Sequence, residues 1–243
     1  MTHRWRNTGL ALVVLLATAC TEDGFPTPSS DQAEDAASLW WVALIAAAVV
    51  GGITMTLIIF SVIRFRRRDD RLPDQRDNHL TLEVVCTVIP VAIVAGLFAY
   101  TINVERKVTA LSDDPDLVVD VVGYQWGWTF TYPEAGVTSV PGEDYEPAVL
   151  AVPVGATVRF NLRSPDVIHS FWVPEFLEKR DLIPGVDNAI DVDVNRTGTW
   201  TGRCAEFCGL DHWLMSFEVQ AMEPADFEAW LAAQAPTAGE ASA

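Results

Sequence analysis

Cys204-Ala205-Glu206-Phe207-Cys208-Gly209-Leu210-Asp211-His212-Trp213-Leu214-Met215 gathers two thiols, an imidazole and a thioether into twelve residues. Donors this soft suit copper better than calcium or magnesium. A second imidazole, His169, stands in Ser164-Pro165-Asp166-Val167-Ile168-His169-Ser170-Phe171-Trp172, on what reads as a strand able to bring it beside the loop. The donor order is then His, Cys, Cys, His, Met. One thiolate with two imidazoles and a weak axial thioether would describe a mononuclear blue-copper site. Here there are two thiolates four residues apart. Each can bridge a pair of ions, so that each ion takes both sulfurs and one histidine, with Met215 and a backbone carbonyl completing the set.

Three plainer readings stand beside this one. In an exported protein Cys204 and Cys208 could form a disulfide, which leaves His212 and Met215 unexplained. C-x3-C with two histidines gives zinc four N/S donors, and Met215 would then be a core residue, as most methionines are. Coincidence is the third.

The stretch resembles subunit II of a haem-copper cytochrome c oxidase, with its dinuclear copper A centre. That family's motif is C-x-E-x-C-x3-H-x2-M with an upstream H-S, and every position is present. The resemblance implies that Cys204 and Cys208 bridge the coppers, that His169 and His212 each cap one, that Met215 is a weak ligand and that Glu206 ligates through its carbonyl. It also implies that the Glu206 side chain helps bind magnesium at the interface with subunit I, a hard carboxylate being the right donor for that ion.

Working outward, residues 104–234 read as an exported all-β domain. Leu117–Val122, Thr129–Tyr132, Thr157–Leu162, Ala189–Val194, Thr199–Thr201 and Ser216–Val219 are rich in β-branched or aromatic residues, several alternating with period two, and Gly and Pro punctuate them. Short, regularly spaced strands imply a sandwich or barrel. The resemblance makes this a cupredoxin-like Greek-key barrel. Pro224–Gln234 reads as one closing helix, with Pro in its first turn and acids near its positive end.

In Gly123-Tyr124-Gln125-Trp126-Gly127-Trp128 the tryptophans alternate along a strand and face opposite sides. Barrel packing explains such a pair by itself. The segment also resembles the family's G-x-Q-W-x-W, whose first Trp, here Trp126, is where electrons arrive from cytochrome c. Asp166 matches a docking carboxylate of the family. From Val104 to the end of the chain, 23 Asp and Glu face 8 Lys and Arg, so about −15 of the formal net charge of −17 sits there. A strongly acidic surface favours a basic redox partner and repels nucleic acid. Solubility or adaptation to salt would produce the same charge.

Toward the N-terminus the chain becomes apolar in discrete runs. Residues 1–19 read as a signal peptide: Arg4 and Arg6 precede a core too short to span a bilayer. Leu16-Ala17-Thr18-Ala19-Cys20 resembles a bacterial lipoprotein cleavage site, which makes Cys20 a lipidation candidate; cleavage near Ala19 is the alternative. Residues 20–38, rich in Pro, Ser and acids, read as a linker. Residues 39–103 read as a transmembrane helical hairpin. Leu39–Ile63 carries no charge and is long enough to cross, and the second span runs from about Glu83 to Ile102 with Pro90 as a kink. The loop 64–82 holds six arginines between Arg64 and His79, so the positive-inside rule places it in the cytoplasm and both outer ends outside. Residues 235–243 read as a disordered tail.

Glu83, an ionisable group at a membrane boundary, either snorkels or belongs to a proton path. Glu83-Val84-Val85-Cys86-Thr87-Val88-Ile89-Pro90 resembles the family's E-x2-W-T-x2-P, whose glutamate lies at the mouth of a proton channel into subunit I; Cys86 replaces the usual Trp.

Together these readings imply a subunit in the bacterial cell membrane. It would work beside subunit I, other oxidase subunits and lipid, and take electrons from a cytochrome c that is basic or tethered. Phe171, Trp172, Phe207 and Trp213 are expected to form a dry shell around the metals. Two rivals are a quinol-oxidase-type structural subunit without copper and a membrane-anchored copper carrier. The C-x-x-C-H of an attached haem does not occur.

Overall fold

The computed structural model of the chain describes residues 25–67, 78–143 and 146–234. The signal sequence, Cys20, much of the arginine loop and the C-terminal tail lie outside the described residues.

Among the described residues two long helices come first, α1 at Asp31–Arg64 and α2 at Leu80–Val108. Both are long and apolar enough to cross a membrane. Among the described residues, their aliphatic side chains lie largely exposed in the chain by itself. Pro90 lies inside α2.

The last part of the expected linker, residues 31–38, is the start of α1. The Ser30 hydroxyl accepts the Ala33 N–H at 3.1 Å, and Asp31 and Glu34 stand in the first turn, where the helix dipole favours negative charge. Pro, Ser and acids, which read as disorder by composition, are here a capped helix N-terminus that also docks on the β-domain. Ala33 and Ala37 are buried, Ser29 N–H donates to the Glu175 carbonyl at 3.0 Å, and Gln32 and Asp193 exchange two hydrogen bonds at 2.8 and 2.9 Å. The two helices are joined by Ser38 to Tyr100 (2.9 Å) and Lys107 to Asp35 (3.0 Å). The second helix likewise outruns its expected end, reaching Val108 with Val104 buried.

Ten strands follow. β1 (Leu117–Tyr124), β2 (Gly127–Tyr132), β3 (Val137–Ser139), β5 (Thr157–Arg163) and β8 (Asn188–Asp193) form one sheet in the order β3-β2-β1-β5-β8. β4 (Val149–Pro153), β6 (His169–Val173), β7 (Glu178–Leu182), β9 (Gly198–Cys204) and β10 (Ser216–Met222) form the second, in the order β4-β10-β9-β6-β7. The chain crosses repeatedly between the sheets in the Greek-key manner of a cupredoxin-like domain. β1 runs parallel to β5, and β10 runs parallel to β4. A third helix, α3 (Pro224–Gln234), closes it and buries Phe227.

Strand alternation builds the core. Val119 and Val121 of β1, Val158, Phe160 and Leu162 of β5, and Phe217 and Val219 of β10 all point between the sheets. At the centre Phe217 stacks on Phe171 with centroids 5.1 Å apart and meets Trp128 edge-on at 5.1 Å. Burying aromatic rings in this way supplies much of the core's free energy.

Gly202 of β9 makes room for this cluster: a Cβ there would lie 2.1 Å from Cζ of Phe217. We expect Gly202→Ala to displace that ring and destabilise the domain by about 1–3 kcal/mol. Circular dichroism melting of the full chain in detergent should then show a midpoint lower by roughly 2–12 °C; an unchanged midpoint would mean that Phe217 does not hold this position.

Candidate metal centre

The two loops predicted to meet do so because β6 and β9 are neighbours, with Phe171 opposite Cys204. That register sets His169, the first residue of β6, beside Cys204, the last of β9. The Cys204 N–H donates to the Met215 carbonyl at 2.9 Å and Ala205 N–H to the Ser170 carbonyl at 3.0 Å. Those bonds pinch the neck of the loop between β9 and β10, and a short 3-10 turn at His212–Leu214 returns the chain toward β10.

Inside the loop the donors converge. Cys204 Sγ lies 3.9 Å from His169 Nδ1, 3.9 Å from Cys208 Sγ and 3.2 Å from the Glu206 carbonyl oxygen. Cys208 Sγ lies 3.5 Å from His212 Nδ1 and 3.7 Å from Met215 Sδ. His169, Cys204, Cys208 and Met215 are buried. The ligand atoms of His169, Cys204 and Cys208 all fall within 4.8 Å of one another, a spacing fit for a metal ion. All five predicted side chains are therefore brought together.

The geometry also weighs the plainer readings. Cys204 and Cys208 are free thiols. A metal–sulfur bond is about 2.3 Å, so sulfurs 3.9 Å apart can share an ion. Met215 turns its sulfur into the cluster, adding a soft fifth donor that a closed four-coordinate zinc site does not need. The residues present fit copper.

Asp166 fixes the histidine. Its carboxylate lies 2.9 Å from His169 Nε2 and accepts the N–H groups of Gln125 (2.7 Å) and Val167 (2.6 Å). Tying up Nε2 leaves Nδ1 to face the sulfurs, the usual arrangement for a ligating imidazole. Burial opposes the Asp166 charge, but those hydrogen bonds outweigh it and hold the carboxyl at about 2. Burial likewise opposes protonation of His169, yet Cys204 and Asp166 beside it raise its pKa. The two thiols split. Despite burial, His169 helps bring Cys204 below the ordinary thiol value, while burial and the adjacent Cys204 thiolate push Cys208 up. A cation between them would let both ionise.

Trp126 sits at the β1–β2 tip, not within a strand, and is 37% exposed, whereas Trp128 is fully buried. Its indole N–H donates to the Cys208 carbonyl at 3.3 Å, so the tryptophan touches the metal loop directly. Gln125 donates to the same oxygen at 2.7 Å, a contact that sequence reasoning missed although Gln125 stands in the quoted motif. The Glu206 side chain is half-exposed, 4.0 Å from Lys179 Nζ. Glu83 lies in the first turn of α2, far along the chain from this centre, where its carboxylate accepts the His79 N–H at 3.1 Å. The expected dry shell needs correction. Phe171 is buried and Trp172 half-buried, but Phe207 and Trp213 are each 77% exposed.

The profile described as the periplasmic domain of cytochrome c oxidase subunit II matches residues 117–222, and the profile for its transmembrane domain matches residues 18–104. A probable cytochrome c oxidase subunit 2 of Streptomyces coelicolor is 38% identical over 89% of this chain and 82% of its own length. The chain belongs to the cytochrome c oxidase subunit II family. The subunit 2 of Mycobacterium bovis is 33% identical over 86% of this chain and 74% of its own length. Among solved structures, the periplasmic domain of subunit II of the Bradyrhizobium japonicum oxidase is similar at 30% identity, covering 51% of this chain and 96% of that one, with a TM-score of 0.46. As a subunit II, the chain is a component of an oxidase and a membrane protein.

The Asp166 carboxyl titrates below its ordinary value near 3.9. Its contribution to the stability of the metal-free protein is therefore complete above about pH 4 and shrinks as pH falls toward 2. Asp166→Asn should lower the melting midpoint at pH 6 and flatten its dependence on pH between about 4 and 2. An equal slope in both proteins would show that Asp166 is not held as described.

Proposed function

We propose that this chain is the electron-accepting subunit of a terminal respiratory oxidase, taking electrons from reduced cytochrome c and delivering them to the haem of subunit I. The observation that carries this reading is the pair of free sulfurs 3.9 Å apart, with an imidazole Nδ1 turned toward each and a thioether beside one. Cys204 and Cys208, with His169, His212, Met215 and the Glu206 carbonyl as the remaining donors, would hold a dinuclear copper centre. When bound, that centre supplies a one-electron relay whose change in charge is spread over two ions.

The protein's share is to hold the donors and keep water away. The neck bonds of Cys204 and Ala205 fix the loop, Asp166 orients His169, and the aromatic core beneath His169, with Trp128 at 6.4 Å, closes the inner side. The outer side is open in this chain. Phe207, Leu210 and Trp213 stand exposed there, an apolar rim suited to being covered by a partner in the assembled oxidase. Trp126, in contact with the Cys208 carbonyl, is the point at which cytochrome c would deliver its electron, with Asp166 beside it.

The remaining assignments follow the same reading. The Glu206 carboxylate would hold magnesium against subunit I, and Glu83 would stand at the mouth of a proton path. With the arginine loop inside, the β-domain lies on the outer face of the cell membrane. The ligand set is complete, which a copper-free quinol-oxidase scaffold does not require. Two spans and a docking rim exceed what a copper carrier needs.

Cys204→Ser, Cys208→Ser or His169→Ala should abolish cytochrome c oxidation by the assembled complex and remove the two-copper electron paramagnetic resonance spectrum; normal turnover by any of them would refute the ligand assignment. Trp126→Phe should slow cytochrome c oxidation severalfold while copper content stays at the parent value. Loss of copper in that variant would instead make the tryptophan a packing residue.

A further inference from the structure

The β1–β2 tip reaches both halves of the donor set through one residue. Gln125 donates its backbone N–H to Asp166, whose other carboxylate oxygen lies against Nε2 of His169. Its side-chain amide donates to the Cys208 carbonyl at 2.7 Å, shorter than the 3.3 Å bond from Trp126 to the same oxygen. Asp166 lies in the loop before β6 and Cys208 in the loop after β9. Gln125 fastens each to a third element.

The approach is close. Gly209, which follows Cys208, has φ +124°, a conformation that suits glycine, and a Cβ there would lie 3.0 Å from the Trp126 ring and 3.1 Å from the Gln125 amide nitrogen. That turn presents the Cys208 carbonyl to the hairpin. A carbonyl has two lone pairs, and Gln125 and Trp126 supply two donors. Because the peptide after Cys208 is held, so is the direction in which its side chain carries the sulfur.

We propose that Gln125 is a positioning residue of the metal centre, holding Cys208 Sγ at its spacing from Cys204 Sγ through the amide bond to the Cys208 carbonyl. This rests on the copper reading only for the loaded protein; the spacing of the thiols can be tested without metal. Freed of that bond, the loop lets the sulfurs close from 3.9 Å to the 2.05 Å of a disulfide more often.

The test uses the full chain in detergent, metal-free and reduced, exposed to oxidised glutathione. Two thiols of the protein lose two electrons and two protons, one glutathione disulfide becomes two glutathiones, and the Cys204–Cys208 bond forms. Gln125→Leu keeps the bulk and removes the donor, and should form the disulfide about fivefold faster than the parent, the equivalent of one hydrogen bond. Gln125→Glu adds a pH readout. Its carboxyl can donate when protonated but not when ionised, so its rate relative to the parent should climb with pH, from about twofold near pH 4 to about fivefold by pH 8. After copper loading, both variants should show altered copper hyperfine splitting at parent copper content. Rates equal to the parent at every pH overturn the proposal, as does a lower melting midpoint with no pH-dependent ratio. If the parent takes up no copper pair, the copper reading fails while the thiol result still decides the role of Gln125.

Discussion

The pairing of β6 with β9 is the constraint on which the site depends. Phe171 opposite Cys204 places a histidine from the middle of the domain sequence beside a cysteine 35 residues further on, and no local preference of either loop could do that. Main-chain bonds secure the register from below, through Ala205 to Ser170, and from the side, through Cys204 to Met215. The sulfurs and imidazoles therefore owe their places to sheet hydrogen bonds, and the stacked rings of Phe171 and Phe217 underneath resist any slip. A shift of one residue would turn His169 to the opposite face.

Above that foundation the loops are held by polar contacts. Asp166 and the Gln125–Trp126 tip act as a brace across the open end of the sandwich. The carboxylate that resembles a docking group is thus already engaged with His169, so one side chain serves orientation and faces the surface as well. The division between buried and exposed aromatics has the same logic. Those under the site complete a core within the chain, while Phe207 and Trp213 stand on its surface.

Much of this was legible in order. The alternating runs that became β1, β5 and β10 were visible because each buries one face, and Pro224–Gln234 was visible from its capping pattern. The donor set was legible because metal ligation demands particular atoms at short spacing. β7 was not: Glu-Lys-Arg-Asp-Leu has no strand composition, and it pairs because an edge strand tolerates charge and β6 offers a ladder. Nor was the start of α1, since Ser30 and its acids look alike as cap or as linker until the β-domain that receives them is present. Gln125 shows a third kind of blindness. An amide side chain has no spacing rule, and its use becomes apparent only when the Cys208 carbonyl faces it.

The helices meet the β-domain through more than a peptide connection. Ser29, Gln32 and Asp31 bond to Glu175, Asp193 and Asn195 from one helix end. Beyond the other, Ser112 donates to buried Asp191, which Arg159 grips with two nitrogens. Two separate moorings remove the freedom to swivel that a single tether would leave. The loop that carries Cys204 and Cys208 then keeps a set height and bearing relative to the two long helices, so whatever approaches it meets a surface of fixed orientation.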